Sequence, residues 1–64
     1  MNYTKLFQHL ERQKIKRTEL VKRGVVSAST MQRLRKGQAV SLYTLDRLSR
    51  YLDCSIFDLI ETED

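Results

Sequence analysis

Apolar residues recur along this chain at helical rather than strand spacing. Between Tyr3 and Gln13, Leu6, Phe7 and Leu10 fall one turn apart while Lys5, Gln8, His9, Glu11 and Arg12 take the other positions, which predicts a first amphipathic helix. After Ile15, the stretch from Arg17 to Arg23 offers Leu20 and Val21 to a core and predicts a second helix of barely two turns, ended by Gly24. Ser27 is placed to cap a third helix with Ala28, Ser29 and Thr30 in its first turn. Arg33, Arg35 and Lys36 suit the negative end of that helix's dipole, and Gly37 suits the left-handed position just beyond it. Ser41 heads a fourth helix, in which Leu45, Leu48 and Leu52 form the buried stripe, Asp46, Arg47, Ser49 and Arg50 face outward, and the end falls near Asp53. Ser55-Ile56-Phe57-Asp58 matches a capping box ahead of Ile56, Leu59 and Ile60 and predicts a fifth helix, with Glu61 to Asp64 frayed.

Composition agrees with an all-α reading. The chain has no proline and only Gly24 and Gly37, and it is rich in Leu, Lys, Arg, Gln and Glu, which lose little rotamer freedom in a helix. At 64 residues a single domain with one core is expected. A domain of this size buries only about 60% of the surface its unfolded chain exposes, so local packing has to be efficient or a partner chain has to help.

The net charge of +4 is unevenly placed. Arg12, Lys14, Lys16, Arg17, Lys22, Arg23, Arg33, Arg35 and Lys36 face Glu19 as the only acid between Arg12 and Lys36, whereas Asp53, Asp58, Glu61, Glu63 and Asp64 gather at the end. Phosphate is therefore expected at the middle of the chain and away from its end, although a basic cluster taken alone is also compatible with a simply solvated face. The start, Met1-Asn2-Tyr3-Thr4-Lys5, lacks a secretory apolar run, and Cys54 has no second cysteine to pair with, so a reducing cytoplasm is the expected compartment. No apolar segment approaches the roughly 20 residues that cross a bilayer.

Two short helices joined by a few residues containing glycine, the second helix rich in small polar and basic side chains, have the sequence form of a helix-turn-helix. At about 100° per residue, Met31 and Leu34 fall on one side of the third helix and Ser29, Gln32, Arg33 and Lys36 nearly opposite. Small residues in the first turn let a backbone approach base edges, and the cations near the end reach bases or phosphate.

The stretch Leu20-Val21-Lys22-Arg23-Gly24-Val25-Val26-Ser27-Ala28-Ser29-Thr30-Met31-Gln32-Arg33-Leu34-Arg35-Lys36-Gly37 resembles the Cro/C1-type (XRE) helix-turn-helix of bacterial and phage repressors. Val40-Ser41-Leu42, Thr44-Leu45 through Leu52-Asp53-Cys54, and Asp58-Leu59-Ile60-Glu61 are similar to the small stand-alone regulators of that family in Gram-positive bacteria. The resemblance implies a compact, five-helix, lambda repressor-like domain with its helix-turn-helix over about residues 17–36. It also implies binding to double-stranded DNA, with a homodimer placing two recognition helices about 34 Å apart. Its apolar positions correspond to Leu20, Val26, Met31 and Leu34, all apolar here. Two positions depart: Val21 stands where a small residue is usual, and the turn glycine expected at Val25 arrives one residue early as Gly24. A β-branched residue at positive φ is strained, so the second helix is expected to end a residue sooner and the turn to be reshaped.

By position, the resemblance implies base contacts from Ala28, Ser29, Gln32 and Arg33 and phosphate contacts from Lys16, Arg17, Ser27 and Lys36. Arg33 can donate two hydrogen bonds to guanine, while Ala28 can touch a thymine methyl or simply permit close approach. Ser27 is a helix cap first, Arg35 points to the flank, and Leu45, Leu48 and Leu52 belong to the core. Tyr43 and Tyr51 are expected half-buried, and Cys54 is expected as a small core residue.

Enzyme chemistry finds no constellation here: one histidine, no nucleophile elbow, no glycine-rich phosphate loop, and a carboxylate cluster confined to the terminal tail. His9 and Cys54 fall short of the four ligands zinc needs, so no metal and no cofactor are expected. The expected function is a sequence-specific DNA-binding repressor acting by operator occupancy, with Phe57 and Tyr51 near a dimer interface. The rival class is a protein-interaction module of the same fold, antitoxin-like or an adaptor, whose basic face binds an acidic partner.

Overall fold

The computed structural model describes residues 2–61. Four α-helices follow one another, α1 (Thr4–Arg12), α2 (Arg17–Lys22), α3 (Ala28–Arg35) and α4 (Leu42–Leu52), and a 3₁₀ turn over Ile56–Asp58 takes the place of the expected fifth helix. Its capping box forms as expected: the Asp58 carboxylate accepts from the Ser55 N–H at 3.1 Å, and the Phe57 N–H donates to Ser55 Oγ at 3.2 Å. The chain then leaves helical geometry because Glu61, expected to fray, pairs instead with Asn2. Two backbone hydrogen bonds of 3.0 and 2.9 Å make an isolated antiparallel bridge. Residues 62–64, the rest of the expected frayed end, lie outside the described residues.

All four α-helices stop in the same way. The Val25 N–H reaches back to the Leu20 carbonyl and the Gly24 N–H to that of Val21, the paired bonds of a Schellman motif. The same pattern joins Ile15 to Leu10 and Lys14 to Glu11, Gln38 to Arg33 and Gly37 to Leu34, and Cys54 to Ser49 and Asp53 to Arg50. Each motif needs one left-handed residue, supplied by Gly24 (φ 74°) and Gly37 (φ 73°) but also by Lys14 (φ 58°) and Asp53 (φ 54°). Helix starts are capped by side chains where serine is available: Ser27 Oγ accepts from the Thr30 N–H and Ser41 Oγ from the Thr44 N–H, each at 3.1 Å. At α1 the N-cap residue is Tyr3, and it is the residue before it, Asn2, whose Oδ1 accepts from the Thr4 N–H at 2.7 Å and from the Thr4 hydroxyl at 2.6 Å.

One apolar cluster is filled from every element: Leu6 and Leu10 of α1, Leu20 of α2, Met31 and Leu34 of α3, the Leu45, Leu48 and Leu52 stripe of α4, and Leu59 after the 3₁₀ turn. Val26 from the α2–α3 turn and Tyr3, just before α1, complete it. Tyr3 brings its polar atom to a partner by donating its hydroxyl to the Gln38 carbonyl at 2.8 Å, 35 residues away. Two expectations for α4 are corrected. Ser49 is buried rather than outward, its hydroxyl bonded to the Asp46 carbonyl at 2.7 Å, and Tyr43 is exposed rather than half-buried. Ser49 can be inside because a small hydroxyl satisfied within its own helix costs little to bury. Tyr51 and Cys54 are half-buried against the cluster.

Candidate nucleic-acid interface

The placement of α3 begins at the turn before it. Gly24 takes the left-handed conformation and Val25 does not, so the early glycine absorbs the turn and the β-branched residue is spared strain. α2 accordingly ends at Lys22, one residue sooner than Arg23, and Val25 packs inward. α4 braces this turn from outside. Arg47 donates to the Gly24 carbonyl at 3.0 Å and to the Tyr43 hydroxyl at 3.3 Å, and Tyr51 donates its hydroxyl to Glu19 at 3.2 Å. The same carboxylate pairs with Arg23 at 3.4 Å. The only acid between Arg12 and Lys36 is thereby drawn to the α4 side.

With Met31 and Leu34 in the core, α3 presents Ala28, Ser29, Gln32, Arg33 and Lys36 to solvent. These five line one shallow depression together with Gln38. A second depression lies between α2 and α3, where Val21, Ala28 and Met31 form an apolar floor and Arg17, Lys22 and Arg35 stand around it. Ala28 and Gln32 belong to both. No carboxylate among the described residues lines either one. The guanidinium carbon of Arg17 lies 4.1 Å from the centroid of the Phe7 ring, a cation–π contact. Among the described residues, neither Arg17, Arg33, Arg35 nor Lys36 pairs with a carboxylate.

The family model for the Cro/C1-type HTH DNA-binding domain matches residues 5–64. This chain belongs to that family. Searches of curated proteins and of solved structures return no match. Membership makes the Cro/C1-type protein a DNA-binding regulator in a family that is not enzymatic, and no helix among its described residues is long and apolar enough to cross a membrane. No group of three or more potential metal ligands occurs among those residues.

Seven of the eight residues expected to meet DNA lie in or beside these depressions. Ala28, Ser29, Gln32, Arg33 and Lys36 share one, Arg17 borders the other, and Ser27 sits at the head of α3 with its hydroxyl committed to the cap. That hydroxyl also lies 3.1 Å from the Ser29 hydroxyl. Lys16 lines a neighbouring hollow with Glu11 and Ile15, which Arg17 and Thr18 connect to the depression between α2 and α3. Beyond Arg17, the sequence reading missed the contribution of α2. Thr18, Val21 and Lys22 follow the i, i+3, i+4 spacing of one helical stripe, a signal that was present but was read only for its buried members.

Proposed function

We propose that this Cro/C1-type protein is a sequence-specific repressor that acts by occupying a duplex operator, the chain working as a single domain with α3 in the major groove. The observation that carries this reading is the depression shared by Ala28, Ser29, Gln32, Arg33 and Lys36, which no carboxylate among the described residues lines. Arg33 donates two hydrogen bonds to O6 and N7 of guanine, worth about 1–3 kcal/mol of discrimination. Gln32 and Ser29 read neighbouring edges, and Ala28 lets the helix come close. Arg17, over the ring of Phe7, Ser27 at the helix N-terminus and Lys36 anchor the backbone, with Lys16 at the outer edge of the contact. Blocking polymerase access is the simplest mode of action.

Binding as a two-fold dimer, with recognition helices about 34 Å apart, is supported by Phe57, which is 81% exposed on the 3₁₀ turn. Tyr51 contributes less to such an interface because its hydroxyl is already engaged by Glu19. Titration against duplexes selected from a random pool tests the whole reading. Arg17→Ala and Lys36→Ala are expected to weaken all sequences alike and to lower the slope of log affinity against log salt by about one each. Arg33→Ala is expected to relax preference at one base pair per half-site. Absence of duplex binding at low salt overturns the proposal.

A further inference from the structure

The turn that presents α3 is held from inside and from outside by different means. Inside, Val26 is buried and Val25 half-buried against the core, and apolar packing of this kind has no fixed direction. Gly24, at φ 74°, has open space where a Cβ would stand, so neither a side chain nor a close neighbour fixes the chain there. Outside, a directional tie reaches it. Arg47 Nη2 donates to the Gly24 carbonyl at 3.0 Å while Nη1 donates to the Tyr43 hydroxyl at 3.3 Å, so the planar fork spans two acceptors. The guanidinium carbon also lies 5.8 Å from the centroid of the Tyr43 ring. One turn further along α4, the Tyr51 hydroxyl donates to Glu19 of α2. α4 thus grips the helix-turn-helix both at the turn and on α2. Arg47 shares a hollow with Val25, Arg50 and Tyr51, and it lines neither depression that holds the residues assigned to bases.

We propose that Arg47, steadied by Tyr43, is a positioning residue for sequence recognition: by tying the Gly24 carbonyl to α4 it sets the tilt at which α3 enters the groove, without itself touching DNA. The inference rests on the reading of α3 as the groove-entering helix and adds a specificity determinant that lies outside its surface. The contacts that depend on the tie are those to base edges. Arg33 lies six residues beyond Ser27, about 9 Å along the helix, so a tilt of about 10° at the turn displaces it by about 1.6 Å. A hydrogen bond to a base edge tolerates only about 0.5 Å of variation in donor–acceptor distance. Arg17 and Lys36 reach phosphate through long side chains that can follow such a shift, and a phosphate charge is less exacting about direction. Loosening the tie therefore reduces base discrimination and spares affinity for duplex in general.

The test titrates the full chain with a selected duplex and with a scrambled one of equal length across a range of salt. Arg47→Ala is expected to lower the ratio of the two affinities about three- to tenfold, the range for one net hydrogen bond, and to leave the slope of log affinity against log salt unchanged. Tyr43→Phe removes an exposed hydroxyl and leaves the core intact. It is expected to lower the ratio by less, and to change nothing further beside Arg47→Ala, because the hydroxyl acts through that guanidinium. Partial unfolding of a variant weakens both duplexes alike and so does not distort the ratio. An unchanged ratio in Arg47→Ala overturns the positioning role while leaving DNA reading intact. A slope lowered by about one does the same, because it marks Arg47 as a phosphate contact, as do equal losses from Tyr43→Phe with and without Arg47, which detach the tyrosine from the fork. Failure of the wild-type chain to bind either duplex at low salt overturns both readings.

Discussion

Four residues carry the backbone through left-handed geometry, and they do so at unequal cost. Gly24 has no atom within 4 Å of where a Cβ would stand, so Gly24→Ala meets no clash and its penalty is conformational alone. A loss of about 1–2 kcal/mol in urea unfolding is expected. Lys14 sits at φ 58° with the ordinary side-chain strain, so Lys14→Gly is expected to raise stability by about 0.5–1 kcal/mol, the strain relieved less the added freedom of the unfolded chain. Two ionisable groups add a pH dependence. Burial pushes the Tyr3 phenol above its ordinary 10.0, and burial, followed by the charges of Asp58 and Asp53, pushes the Cys54 thiol above 9.0. In both the folded value exceeds the unfolded one, so their contribution is complete below the unfolded values and is lost as pH rises through the folded ones. The melting temperature is expected to fall on the alkaline side of pH 9, with the part of the decline above pH 10 reduced in Tyr3→Phe.

At the scale of elements, the cap of α3 serves both folding and recognition, and the two roles can be separated. Ser27→Ala removes the acceptor for the Thr30 N–H and is expected to cost about 1 kcal/mol. Ser27→Asp keeps the cap and nearly all of the stability, yet places a carboxylate where phosphate would approach. Melting curves close to wild type together with a large drop in duplex affinity are the expected pair of results, and unchanged affinity would detach Ser27 from the interface. Helix starts were legible because serine at Ser27, Ser41 and Ser55 announces them chemically. The positions of the helix ends were legible, those near Gln13 and Asp53 included, but the left-handed residue that closes a helix was legible only where glycine marks it. Lys14 and Asp53 close their helices through tertiary fit, with Ile15 and Cys54 packed against the cluster behind them, and no local residue type signals that. The fifth helix was overestimated for a similar reason: its capping box is real, but the pairing of Glu61 with Asn2 turns the chain out of helical geometry, and only the folded arrangement brings those residues together.

Across the whole molecule, the apolar stripe of each element predicted which side faces inward, and all the leucines so assigned are buried. The cationic middle was equally legible as a count, but its direction was not. Two tyrosines and an arginine decide it from a distance in sequence: Tyr51 holds Glu19 aside, helped by Arg23 four residues along, Arg47 fastens the turn at Gly24, and Tyr3 ties the start of α1 to the segment after α3. None of the three long-range ties follows from periodicity, because hydrogen-bonded partners 23 to 35 residues apart leave no repeating trace. The Asn2–Glu61 bridge has a mechanical meaning of its own. In an antiparallel pair the two strands leave on the same side, so tension applied through Asn2 and Glu61 opens their two hydrogen bonds one after the other rather than shearing both at once. The fold therefore has a soft clasp, and any segment joined at either end departs from one point on the surface.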